Sequence, residues 1–111
     1  MGCPDRTSVP RMNKLTDAEL SAALADLGNW TRDGDTIRRE VEAPAFLTGI
    51  DYVREVAEVA EQADHHPDID IRWRRLTFVL TTHDAGGLTQ ADLDLAHAID
   101  AIVGQHGSAA G

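Results

Sequence analysis

What this chain lacks narrows its chemistry before anything it contains. Cys3 is the only cysteine in 111 residues and stands close to the amino terminus, which excludes a disulfide framework and a cysteine-based zinc site. No stretch is apolar enough to span a bilayer, and no signal-peptide pattern precedes the first periodic segment, so a cytoplasmic protein is expected. Met1-Gly2-Cys3 carries a trace of an acylation motif, but Arg6 occupies the place of the required Ser or Thr. Positive charge is also scarce. Ten Lys and Arg against nineteen Asp and Glu leave a formal net charge of −9, which argues against nucleic-acid binding through a basic surface. Arg38 and Arg39, and Arg72, Arg74 and Arg75, are basic only locally. They interleave with acids and apolar residues as solvated strand faces do.

The length and the ordinary apolar and charged fractions, 42% and 26%, support one domain with one core. Residues 1–14 show no periodicity and read as a flexible leader, residues 15–104 as the domain, and residues 105–111 as a flexible tail. Thr16 and Glu19 fit a capping box and Leu15 and Leu20 a hydrophobic staple, so a helix opens there. Leu20, Leu24 and Leu27 form its stripe, and Gly28 is expected to stop it. Residues 30–41 read as a hairpin turning at Asp33-Gly34, where positive φ is needed. Ile37 and Val41 share one phase, but Arg39 falls on the same side.

A long helix is expected over residues 46–64, with Phe46, Ile50, Val53, Ala57 and Ala60 on one stripe and Pro67 beyond its end. Gly49 weakens its first turn. Ile69, Ile71 and Trp73 alternate in one phase and Leu76, Phe78 and Leu80 in the other. A bulge or tight turn near residues 73–75 therefore separates two strands or bends one. Leu88, Thr89 and Asp92 repeat the staple and capping pattern, with Asp in place of Glu. A last helix runs to about Val103, with Leu95, Ile99 and Ile102 inward and Gly104 as its stop. The order α-β-β-α-β-β-α implies an α+β fold, a four-stranded antiparallel sheet covered on one face by helices.

Chemistry is concentrated between Glu61 and Asp92. Three of the five histidines lie there, His65, His66 and His83, with Glu61, Asp64, Asp84 and Asp92. Imidazoles and carboxylates exchange protons near neutral pH. A double histidine at the end of a helix meets unpaired carbonyls and the negative dipole end, which favour a protonated ring. Glu61, four residues before His65, is placed to pair with it. His83 arrives from the end of a strand, followed by Gly86 and Gly87, which permit close backbone approach. A general acid–base site follows if these groups converge. A metal site is the competing possibility, although adjacent helical residues point about 100° apart and make an awkward ligand pair. Nucleophilic catalysis lacks a candidate, since Cys3 is remote and no serine lies in the segment. His97 and His106 read as structural or surface histidines.

The spacing Glu61-x-x-x-His65-His66-Pro67, five residues, Trp73, nine residues, His83, eight residues, Asp92 resembles the signature of the pterin-4a-carbinolamine dehydratases. The run from Leu80 through His83 and Gly87 to Thr89 is similar to that family's final strand and turn, and the segments around Leu15-Thr16-Asp17 and Gly28-Asn29-Trp30 also match. The likeness covers about residues 15 to 103. It implies dehydration of 4a-hydroxytetrahydrobiopterin to quinonoid dihydrobiopterin, recycling the pterin spent by aromatic amino-acid hydroxylases, with no metal and no organic cofactor.

By position, the resemblance makes His65 and His83 general acids and gives His66 the task of binding and polarising the pterin. Glu61 and Asp64 set imidazole charge or contact the ring, Thr81 and Thr82 line the site, and Trp73 supports it. A homodimer or homotetramer is implied, with no nucleic-acid or membrane partner. The alternatives are a non-catalytic, coactivator-type dimerisation role, known for animal members with a homeodomain partner, and an enzyme acting on another pterin such as a molybdopterin-related compound.

Overall fold

The computed structural model describes residues 13–106. Cys3, the acylation trace, most of the expected leader and residues 107–111 of the expected tail lie outside the described residues. The chain forms α1 (Asp17–Leu24), β1 (Thr31–Asp33), β2 (Thr36–Glu42), α2 (Phe46–Ala63), β3 (Asp68–Arg72), β4 (Arg75–Leu80), a short 3-10 turn (His83–Ala85) and α3 (Gln90–Gln105). All strand pairs are antiparallel and the spatial order is β1-β2-β4-β3. The α+β fold with order α-β-β-α-β-β-α is the one the sequence pattern implies.

One face of the sheet is apolar because its inward positions recur every second residue. Ile37 and Val41 of β2 and Leu76, Phe78 and Leu80 of β4 are buried in a single cluster with Tyr52 and Val56 of α2 and Leu95, Ile99 and Val103 of α3. The opposite phase, Arg38, Glu40 and Glu42 on β2 with Asp68, Asp70 and Arg72 on β3, is exposed. Arg39 breaks the pattern. It lies in the inward phase at 5% exposure, and its guanidinium meets the Asp100 carboxylate at 2.5 Å. The same oxygen accepts the Trp30 indole N–H at 2.8 Å. A charge can occupy an inward position when it is paired and hydrogen-bonded in this way.

Local signals hold at the helix starts and shift at their ends. Thr16 N–H donates to Glu19 Oε1 at 2.8 Å and Glu19 N–H donates to Thr16 Oγ1 at 3.1 Å. Gly28 does not end α1, which stops at Leu24. Beyond it, i→i+3 bonds from Leu27 N–H to Leu24 and from Trp30 N–H to Leu27 tighten the chain and carry both side chains into the core. Gly104 does not end α3, which runs through it to Gln105. At the first hairpin, Gly34 takes the positive φ of 62°. The second break is resolved as two strands joined at Trp73-Arg74.

The stripe of α2 is rotated from the expected one. Gly49, Tyr52, Val56 and Ala60 are buried, whereas Phe46 is 46% exposed and Ala57 lies on the solvent side. Gly49 is the reason. A Cβ there would sit 3.2 Å from Leu76 Cδ1 and 3.5 Å from the Ala43 Cβ, so its bare backbone lets the helix settle on the sheet with Tyr52 beneath. Glycine lowers helix propensity and here provides close packing in return.

The pairing of buried Arg39 with part-buried Asp100 makes either partner costly to lose. Asp100→Ala leaves Arg39 without its counter-charge and should cost about 3 kcal/mol in urea unfolding. Arg39→Met added to that background should recover most of the loss, because a buried unpaired charge is removed. A double variant no more stable than Asp100→Ala alone would show that Arg39 does not carry the cost.

Candidate active site

The site begins where α2 ends. Asp64 adopts the left-handed conformation, with φ 52°, and its N–H and that of His65 cap the carbonyls of Glu61 and Ala60 at 3.3 and 3.1 Å. This is a Schellman closure, made with an aspartate where glycine is usual. It turns the chain before the histidines, so His65 and His66 lie outside the helix.

Two expectations change as a result. The helical i,i+4 relation between Glu61 and His65 no longer applies, and Glu61 Oε2 instead meets His66 Nε2 at 2.5 Å. Both side chains of that pair are more than half exposed, so its contribution is small. Two of the terminal carbonyls, those of Ala60 and Glu61, are already occupied by backbone N–H groups.

His65 crosses to the opposite wall, where its Nε2 lies 2.5 Å from Asp92 Oδ1. Asp92 is fully buried. Its Oδ2 accepts the Thr89 N–H at 2.9 Å and the Thr82 hydroxyl at 2.7 Å. Thr89 is the N-cap of α3 and Asp92 its third helical residue, so both halves of the second capping box are present. The positive end of the α3 dipole therefore faces the carboxylate. The capping motif was legible as a helix start. That the same carboxylate would also hold His65 was not, and the short Asp at a position where Glu is common is the only local sign of a second duty.

His83 comes from the turn after β4. Thr82 and Gly87 pair through reciprocal backbone bonds of 3.0 and 3.3 Å, closing the loop that carries His83 and Asp84. Gly87 is overlaid by Lys14, and an added Cβ would lie 2.7 Å from Lys14 Cε. The last residues of the expected leader therefore pack against the domain, as does the 2.8 Å bond from Leu15 N–H to the Leu88 carbonyl. Thr81 donates its hydroxyl to the Asp35 carbonyl at 2.6 Å, tying the site to the first hairpin.

These segments enclose an open cavity of about 340 Å³, lined by Ala63, Asp64, His65 and His66 from one side, Thr81, Thr82, His83 and Asp84 from another, and Ala91 from α3. That volume lies at the small end of ligand pockets and suits a compact heterocycle. Three imidazoles and two carboxylates reach it, enough to give and take protons around one ligand. Glu61 stands behind His66 rather than on the wall. Trp73 is not brought to the histidines. It lies at the far end of β4, roughly 20 Å away by strand rise, beside a smaller hollow with Glu42, Arg72, Arg74 and Arg75. Its φ is 56°, it is 70% exposed, and the Arg74 guanidinium lies 4.7 Å above its ring.

Among the described residues no cluster of three metal-ligating side chains occurs, and no helix is long and apolar enough to cross a membrane. His106 is held at the end of α3 by Glu55, with its ring edge-on to Tyr52 at 5.3 Å. His97 is exposed.

The chain is similar in sequence and fold to known proteins. The family model described as pterin 4 alpha carbinolamine dehydratase matches residues 13–102. A protein of Mycobacteroides abscessus, named provisionally as a pterin-4-alpha-carbinolamine dehydratase, is 60% identical over 94 residues, 85% of this chain and all of the relative. A Mycobacterium avium protein with the same provisional name is 57% identical over 93 residues, 84% of this chain and 99% of its own. Among solved structures, a transcriptional coactivator/pterin dehydratase from Brucella melitensis superposes with a TM-score of 0.79 at 32% identity, covering 81% of this chain and 98% of that one. A pterin dehydratase-like RuBisCO assembly factor of the alpha-carboxysome shares the fold, with a TM-score of 0.56 at 16% identity over 68% of this chain and 87% of its own. The chain belongs to the pterin 4 alpha carbinolamine dehydratase family.

Proposed function

We propose that the protein dehydrates 4a-hydroxytetrahydrobiopterin to quinonoid dihydrobiopterin in the cytoplasm, by histidine acid–base catalysis, as a recycling step for aromatic amino-acid hydroxylases. The observation that carries this reading is the convergence of His65, His66 and His83 on one cavity of heterocycle size, in a chain of this family. Hydroxide is a poor leaving group. As the C4a–O bond breaks, its electron pair goes to oxygen, which must take a proton from an acid, while a base removes a proton from a ring N–H. The products are water and the oxidised-level ring, with one proton given and one received by the protein.

In this reading His65 and His83 stand at the reacting edge, and His66, backed by Glu61, orients and polarises the ring. Asp64 and Thr81 offer acceptor and hydroxyl groups to the pterin's polar rim. Trp73 takes no part within one copy of the chain, because the length of β4 separates it from the cavity.

A homo-oligomer accompanies the proposal. β3 is a sheet edge whose sequence, Asp68-Ile69-Asp70-Ile71-Arg72, is nearly self-complementary in antiparallel pairing. Centred on Asp70, such pairing sets Asp68 against Arg72 of a second copy and Ile69 against Ile71, with Asp70 meeting its own copy at the axis. Ile71 is 42% exposed in a single chain, and unpaired edges of this kind seek partners.

Carbinolamine breakdown, followed directly with the spontaneous reaction subtracted, tests the activity. His65→Ala and His83→Ala should each slow it by about ten- to a hundred-fold with circular dichroism unchanged. Wild-type rates in both would remove the assignment and favour a coactivator-type binding role, in which the histidines are dispensable. Light scattering tests the assembly. The wild-type mass should be a multiple of 12.0 kDa, and Ile71→Lys should lower it. A monomeric wild-type protein would rule out the edge pairing.

A further inference from the structure

The hydrogen bonds around Asp92 have a direction that can be read from their donors. Ala91 N–H donates to Thr89 Oγ1 at 3.2 Å, so that oxygen is already an acceptor. Thr82 Oγ1 lies 2.9 Å from Thr89 Oγ1 and 2.7 Å from Asp92 Oδ2. Asp92 Oδ2 also receives the Thr89 N–H, and three donors together with the α3 amino terminus converge on this one buried carboxylate. An acceptor-only carboxylate requires the Thr82 hydroxyl proton to point at it. Thr89 must then donate its own proton to Thr82. At the other oxygen, His65 Nε2 must be the donor.

We infer that Thr82 and Asp92 are positioning residues that fix His65 in its Nε2–H tautomer, so that Nδ1 is the nitrogen His65 offers to the ligand. An imidazole has two ring nitrogens, and Asp92 occupies one of them. The other is the only one left for the cavity that His65 lines at 14% side-chain exposure. The chain of donors runs one way from Ala91 N–H through Thr89, Thr82 and Asp92, with His65 closing on the carboxylate from the opposite side. Each bond polarises the next.

The arrangement draws on three elements at once: the loop after α2, the end of β4 and the first turn of α3. It therefore fixes the ring's orientation as well as its proton. The tautomer assignment stands on this geometry alone. Its catalytic consequence, that Nδ1 exchanges the proton with the pterin, rests on the dehydratase reading.

Asp92→Asn discriminates sharply because the amide keeps the shape. Its carbonyl can accept from Thr89 N–H and Thr82, which turns its NH₂ toward His65 and requires Nε2 to become an acceptor. The ring should then carry its proton on Nδ1. The tautomer is read in the ligand-free protein by long-range ¹H–¹⁵N correlation of ¹⁵N-histidine-labelled samples at alkaline pH, with the His65 signal assigned by its loss in His65→Gln.

Wild-type protein should show Nε2–H, and Asp92→Asn should show Nδ1–H with kcat lowered by about 10²-fold or more and KM little changed. Thr82→Val should mix the tautomers and lower kcat about tenfold, and Thr82→Ser should restore both. Because Asp92 is buried and caps α3, Thr82→Val also serves if Asp92→Asn fails to fold. An Nδ1–H ring in wild-type protein, or a Thr82→Val variant unchanged in tautomer and kcat, overturns the inference. Protein that leaves the carbinolamine at its spontaneous rate, yet whose His65 is Nε2–H and switches in Asp92→Asn, upholds the relay and removes the dehydratase reading. Full activity with an Nδ1–H ring does the reverse.

Discussion

One buried carboxylate ties the histidine-lined cleft together. Asp92 accepts from the backbone of α3, from the Thr82 hydroxyl at the end of β4 and from His65 in the loop after α2. These are the three segments that carry the histidines or stand beside them. A fully buried acid is costly unless it is hydrogen-bonded, and here its three donors come from groups that the fold must place anyway. The consequence is cooperative. The same bonds that cap a helix also stop an imidazole from rotating, so stability and positioning cannot be separated at this residue.

The rest of the molecule sets the distances across which that carboxylate works. Gly49 lets α2 lie close on Leu76, which fixes where the C-terminus of α2 arrives over the sheet. The left-handed Asp64 then redirects the chain toward α3. On the far side of the sheet centre, Arg39 and Trp30 both bond Asp100 and lock α3 against β2. With both anchors in place, the amino terminus of α3 is held where Asp92 can meet β4 and the loop. The cavity stays open on one side, bounded by polar groups at strand and helix ends, a frequent place for ligands because rigid elements support short loops.

Much of this was legible in the sequence. Both capping boxes, the hairpin at Gly34 and the change of phase between Ile71 and Leu76 follow from spacing and local chemistry, whereas the grouping of Thr81 and Thr82 with His65, His66 and His83 came from the family resemblance. What was not legible depends on backbone choices with no strong local signal. An Asp in place of Gly closes α2, so a helical i,i+4 argument paired Glu61 with the wrong histidine. The face that α2 buries is set by close approach at Gly49, and periodicity alone selected Phe46 and Ala57 instead. Trp73 sits at the expected spacing from the histidines, yet the hairpin carries it to the opposite end of the sheet. The contact between His65 and Asp92 spans 27 positions, and no local rule reaches that far.

On the proposed function a pterin is held in the cavity lined by His65, His66 and His83. Backbone and imidazole chemical-shift mapping with a non-reactive dihydropterin tests it most directly. Saturable shifts concentrated at His65, His66, Thr81, His83 and Ala91 are expected, with Trp73 and Arg74 unmoved. Shifts centred on the Trp73 turn, or no saturable shifts at the three histidines, would contradict it.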